Sequence, residues 1–142
     1  MNCIEKLSDD YSVHGIADGL TFGQSAYLKD RSQIDPKYQW KTEDIFPDDE
    51  SWEKEFNTFE KCLIDITSFQ GKLAESAFIL RRCLQTRDML SILHDKLSLY
   101  ANLKFDQDTR VAKYQAYRDK ISTLAVHFHQ KKSFIEPEIL AI

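Results

Sequence analysis

From Trp52 onward, large apolar residues return at intervals of four, three, four and three, as Trp52, Phe56, Phe59, Leu63 and Ile66. This spacing matches one stripe of an α-helix, where side chains three and four apart share a face; a strand would require alternation. Few residues interrupt the pattern, because the 142-residue chain has only four Gly and three Pro. With 42% hydrophobic and 30% charged residues, it carries enough apolar surface for one core and enough charge to solvate the outside. The expected class is therefore all-α: an elongated antiparallel hairpin or bundle of three to four helices in one domain.

The helix boundaries follow from local chemistry. Asp48 or Asp49 can accept from the free amides that open a helix, and acids suit its positive end. Glycine takes the left-handed conformation cheaply, so Gly71 marks a stop, giving a first helix over about 49–69. A second run starts at Ser76 and carries Leu80, Leu84, Leu90, Leu93, Leu97, Tyr100 and Leu103 on its inner face. The step from Leu84 to Leu90 rotates the stripe, so one long helix or two shorter ones fit residues 76–104. Asp106, Asp108 and Thr109 supply a polar turn and capping groups. A third run over about 109–135 buries Val111, Tyr114, Tyr117, Ile121, Leu124, Phe128, Phe134 and Ile135. Rods of this length reach roughly 30–40 Å at about 1.5 Å per residue.

Flanking segments read differently. Residues 1–28 hold Gly15, Gly19 and Gly23 without a sustained apolar period, and are expected to form an unassigned flexible leader. No Gly-Lys-Ser/Thr follows these glycines, so they make no phosphate loop. Residues 34–40 contain Pro36, Tyr38 and Trp40 and predict an extended strap, with Trp40 clamping it onto the helices. At the other end, Glu136 to Ile142 looks like the start of a helix, with Pro137 in its first turn and too few residues to complete it. Its apolar Ile139, Leu140 and Ile142 predict a longer polypeptide, truncated here before its next element.

Several chemistries have no foothold. The net charge of −4 argues against nucleic acid, and Arg81-Arg82 and Lys131-Lys132 read as solvated helix faces. No apolar run approaches the roughly 18 residues that cross a bilayer, and the start lacks a signal-peptide pattern, so a soluble cytoplasmic chain is expected. Cys3, Cys62 and Cys83 are odd in number and far apart, which suits reduced thiols. None of the four histidines forms His-Glu-x-x-His, and His127 and His129 diverge by about 200° on a helix. Asp106-x-Asp108 lacks the glycine and glutamate of a calcium loop. Trp40, Trp52, Tyr100, Tyr114 and Tyr117 are expected in packing, not in a ligand cage. We therefore expect no catalytic, metal-binding or cofactor-binding residue in this chain.

Four blocks nevertheless carry a signature. Tyr38-Gln39-Trp40-Lys41-Thr42-Glu43-Asp44-Ile45-Phe46-Pro47 with Trp52-Glu53 resembles the opening of oligoendopeptidase F proteins. Phe69-Gln70-Gly71-Lys72-Leu73, Leu99-Tyr100-Ala101-Asn102-Leu103 and Phe134-Ile135-Glu136-Pro137-Glu138-Ile139-Leu140 follow in the same order. The resemblance covers about residues 29–142 and about the first fifth of the family's chain. It implies a helical N-terminal lobe that walls the substrate channel of a cytoplasmic zinc endopeptidase cleaving oligopeptides. The family's zinc ligands and catalytic residues lie downstream, so none maps onto this sequence and the chain alone is expected to be inactive. The implied partners are the missing C-terminal catalytic domain and an oligopeptide substrate, with self-association through exposed apolar surface as a further expectation. Two rival readings are a free-standing helical interaction module and a metal-binding regulator using His127 and His129.

Overall fold

The structure is a computed structural model that describes residues 31–142. The expected leader over 1–28 lies outside the described residues. Within them the architecture is all-α, built on three long helices: α1 (Asp49–Thr67), α2 (Ala77–Gln107) and α3 (Ala112–Lys132). A short α4 (Ile135–Leu140) follows. Cross-helix contacts give an up-down-up order. Trp52 near the start of α1 reaches Leu97 late in α2, and the Trp52 ring stacks on Tyr117 early in α3.

Each boundary has a local cause. The Asp48 carboxylate accepts from the Ser51 amide at 2.7 Å, opening α1 at the expected place. α1 ends at Thr67, two residues before the expected limit, and Gly71 follows with a φ of 76°. Ser76 caps α2 through Ile79, and this helix runs unbroken through residues 85–88. The irregular step in its apolar stripe is absorbed by Cys83, which is fully buried and was absent from the expected inner face. Leu80, Leu84 and Leu93 pack around that core as half-buried neighbours.

One packed core joins the rods. Trp52, Phe59, Ile66, Leu97, Tyr100 and Leu124 are all essentially fully buried. Each such Leu, Ile or Phe contributes about 1.5–3 kcal/mol relative to exposure. Phe59 meets Phe128 edge to face with centroids 5.5 Å apart, and Trp52 lies between Phe56 and Tyr117. The edge-to-face and offset arrangements suit the ring quadrupoles.

Four sequence expectations need correction. The strap is not extended: it curls into three single 3-10 turns at Arg31–Gln33, Pro36–Tyr38 and Thr42–Asp44. Pro36 presets the second turn and the Asp35 carboxylate accepts from the Lys37 amide, so local bonds replace an extended path. Trp40 does not clamp the strap with its ring, which is half exposed. Its carbonyl accepts from Arg31 and Gln107, while Phe46 and Thr42 are the residues that bury. Val111 lies outside the core as the N-cap of α3, with Asp108 bonded to Arg110 instead of capping that helix. Finally, the terminal helix does form, because Ile135 is buried against the core and Glu138 is held by the α1–α2 connection.

Gly71 offers a direct test of that connection. Nothing lies within 4 Å of where a Cβ would sit, so a side chain meets no steric obstacle, only an unfavourable backbone. Gly71→Ala is expected to lower stability by about 1–2 kcal/mol, read as a lower urea midpoint at unchanged slope. An unchanged midpoint would show that the turn relaxes to negative φ at no cost.

Candidate functional site

The most concentrated polar chemistry lies where the start of α1 meets the later part of α2 and the start of α3. Asp49 stands one residue inside α1, on the same face as Trp52 and Glu53, and so faces the two other helices. Its carboxylate accepts from the Tyr100 hydroxyl at 2.7 Å and the Tyr114 hydroxyl at 3.4 Å, and pairs with Lys113 at 2.8 Å. Tyr117 donates to Glu53 at 2.6 Å. Burial pushes the Asp49 carboxyl up, but the bonds from Lys113 and Tyr100 and the charges of Lys113 and Lys104 outweigh it, leaving it below the ordinary range. Burial, reinforced by their carboxylate partners, raises the Tyr100 and Tyr117 hydroxyls well above theirs. Tyrosines held neutral and a carboxylate held ionised make a fixed clasp, with no group poised to exchange a proton near neutrality.

A second clasp closes the other end. The Glu138 carboxylate accepts from the Gly71 amide at 2.6 Å and the Leu73 amide at 3.4 Å. Leu73 is itself buried, so α4 pins the α1–α2 connection to the core. The sequence blocks thus meet in pairs. Phe69–Leu73 binds Phe134–Leu140 through Glu138, and Phe46 meets Tyr100 edge to face at 5.5 Å, joining the opening block to the block at Leu99–Leu103.

Concavities lie on several faces of the described residues. An open groove of about 570 Å³ separates α1 from α3, with Phe56 and Leu124 beneath a rim that includes Glu60, Asp119, Lys120 and His127. A smaller hollow of about 190 Å³ lies between the strap and the end of α2, beside Arg31, Tyr38, Trp40 and Gln107. Neither gathers a nucleophile with a base.

The sequence-selected residues fall as follows. Trp52, Tyr100 and Tyr117 are core, Tyr114 is half-buried in the clasp, and Trp40 is half exposed. His127 and His129 are exposed on α3, His127 on the groove and His129 beside Ser133 and Lys132. Cys62 and Cys83 are free thiols, and burial raises the latter's pKa. Among the described residues, no three His, Cys, Asp or Glu side chains are grouped to hold a metal ion. No helix among them is long and apolar enough to cross a membrane. The two clasps were missed in the sequence. A buried tyrosine always needs a partner for its hydroxyl, which was a signal for the first; Glu138 gave none.

Comparison with known proteins adds scale. No protein-family profile matches the chain, and no solved structure does. The oligopeptidase PepF of Bacillus subtilis is 36% identical over 115 residues, covering 81% of this chain and 17% of that protein. The group B oligopeptidase PepB of Streptococcus agalactiae is 38% identical over 79% of the chain and 19% of its own length. The chromosomal oligoendopeptidase F of Lactococcus lactis is 40% identical over 80% of the chain and again 19% of its own length. The chain spans about a fifth of the length of the curated relatives it matches.

Proposed function

Because this chain is homologous over about four-fifths of its length to a segment of the oligoendopeptidase F proteins, we propose that it serves as the N-terminal helical lobe of such a peptidase. In that role it walls the channel by which oligopeptides reach a catalytic centre built by the rest of a cytoplasmic zinc endopeptidase. The observation that supports this reading is the pairing of the blocks: Gly71, Leu73 and Glu138 of the resemblance make one clasp, Phe46 packs on Tyr100, and Tyr100 and Glu53 take part in the other clasp. A role in shape fits such residues better than one in chemistry.

The described residues do not fit a zinc ion. His127 and His129 point to different sides of α3, and no third ligand joins either. On this reading the zinc of the complete enzyme is held by residues of its catalytic domain. What the lobe itself supplies is a rigid wall, and the groove between α1 and α3, apolar below and charged at its rim, suits a face turned to water and peptide.

Two measurements test the reading. The purified chain supplied with zinc is expected to hydrolyse no oligopeptide, and metal-dependent turnover would overturn the assignment. Placed in the Bacillus subtilis PepF polypeptide in exchange for the 115 matched residues, it is expected to give an enzyme that cleaves oligopeptides. A well-folded chimera without activity would count against it.

A further inference from the structure

The hollow between the strap and the end of α2 sets aromatic rings beside a carboxylate. Tyr38 and Trp40 line it while 75% and 50% exposed, and Ile34 completes the apolar side. Trp40 is held in place: its carbonyl accepts from the Arg31 guanidinium at 3.2 Å and from the Gln107 side-chain amide at 3.3 Å, fixing the backbone that carries the indole to α2. Asp106 lies in the last turn of α2 and also lines the hollow, with no hydrogen bond or ion pair among the described residues. The helix ends one residue later, at Gln107, so the free carbonyls and the negative end of its dipole lie at the same place.

The cations nearby are already matched. Arg31 donates through Nε to the Gln39 side-chain oxygen at 3.0 Å, donates to the Trp40 carbonyl, and lies 3.7 Å from Glu43. Lys37 pairs with Asp35 at 3.2 Å and stands 4.8 Å from the centre of the Tyr38 ring. Lys104, the basic residue of the last turn of α2, is engaged over Tyr100 and Tyr114. Asp106 is left as the charge without a counterpart.

We propose that this hollow is a binding site for a primary ammonium group on a short apolar stem, with the ammonium between the Asp106 carboxylate and the Trp40 ring. A purely apolar occupant would strip water from Asp106 and return nothing, and an anion would meet that carboxylate and the helix end. An ammonium is drawn by both the carboxylate and the face of an indole, the aromatic side chain that attracts cations best. Size agrees: at about 30 Å³ per water, a hollow of about 190 Å³ admits a group of about six heavy atoms, one end of a ligand. An oligopeptide offers this chemistry at its amino end and on lysine. Choosing a peptide as the carrier rests on the lobe reading above, whereas the preference for a cation does not.

The indole N–H signals of the ¹⁵N-labelled 142-residue chain test the proposal. The chain has two tryptophans, and Trp40→Phe assigns them. The probes are leucyl-glycyl-glycinamide, its N-acetyl form, N-acetyl-lysinamide and N-acetyl-leucine. The first or the third is expected to shift the Trp40 signal saturably, and which of them does so names the amino end or the lysine side chain as the source. The signal of buried Trp52 stays in place and reports that the fold is intact. Acetylating the amino end of the first probe, or lysine's replacement where that side chain is the source, is expected to weaken binding about five-fold or more, as is Asp106→Asn. Equal binding by native chain and D106N, no saturable shift with either ammonium probe, or a stronger response to the carboxylate of N-acetyl-leucine would each overturn the site. Because these readings are made on the free chain, that failure leaves the activity of the PepF chimera, and with it the lobe reading, standing. An inactive folded chimera with the Trp40 shift intact would strike the lobe reading and keep the ammonium site.

Discussion

Trp52→Ala is expected to destabilise the chain by about 3–5 kcal/mol, which for a domain with a net stability of about 5–15 kcal/mol removes much of the margin. Trp52 is fully buried, stacks on Tyr117 with centroids 3.9 Å apart and on Phe56 at 5.3 Å, and so touches both α1 and α3. Its indole also donates to the Leu97 carbonyl of α2 at 2.9 Å, making it the side chain that ties all three long helices. Truncation therefore leaves a cavity and an acceptor without its donor. Trp52→Phe separates the two losses, because it keeps most of the ring volume and deletes the bond. It is expected to cost about 1–3 kcal/mol. Urea unfolding followed by circular dichroism reads both. A loss under 1 kcal/mol for the alanine variant would show that the neighbouring helices collapse into the space.

The second large effect lies at the clasp around Asp49. Asp49→Ala takes the acceptor from Tyr100 and Tyr114 and the counter-charge from Lys113, at an expected cost of about 2–3 kcal/mol. Most of it reflects the Tyr100 hydroxyl, left in a nearly closed site without a partner. Accordingly, adding Tyr100→Phe to the alanine variant should cost far less than Tyr100→Phe alone in the native chain.

The pH dependence carries the same signature. Since the folded state depresses the Asp49 carboxyl, the unfolded chain binds that proton first as pH falls. The stabilisation is whole above about pH 4 and drains away below it, through the lowered folded value. Tyr100 behaves oppositely: its folded hydroxyl resists ionisation, so its share is present below about pH 10 and fades above. Asp49→Ala should flatten part of the acid limb. An acid limb identical in variant and native chain would remove Asp49 from the account.

Much of the rod arrangement was legible in advance because it depends on short-range rules. The 4-3-4-3 interval of Trp52, Phe56, Phe59, Leu63 and Ile66 named the buried residues of α1 without error, since a helix of any origin puts those positions on one stripe. Asp48, Ser76 and Gly71 announced their ends, because capping and positive φ involve atoms only a few residues apart. Val111 failed the same test: it held the right interval but sat one residue before the helix, where the interval no longer decides direction.

The clasps and the sorting of apolar residues on α2 are of another kind. Asp49 and Tyr100 are 51 positions apart, and Gly71 and Glu138 are 67 apart, so no local rule pairs them. In the same way, Cys83 and Met89 are both apolar positions on one helix, yet one is fully buried and the other 69% exposed. Periodicity alone established that this chain makes amphipathic rods, and where each begins and stops. Only the folded arrangement determined which face of α2 was used up by α1 and α3, because burial depends on what stands opposite a side chain.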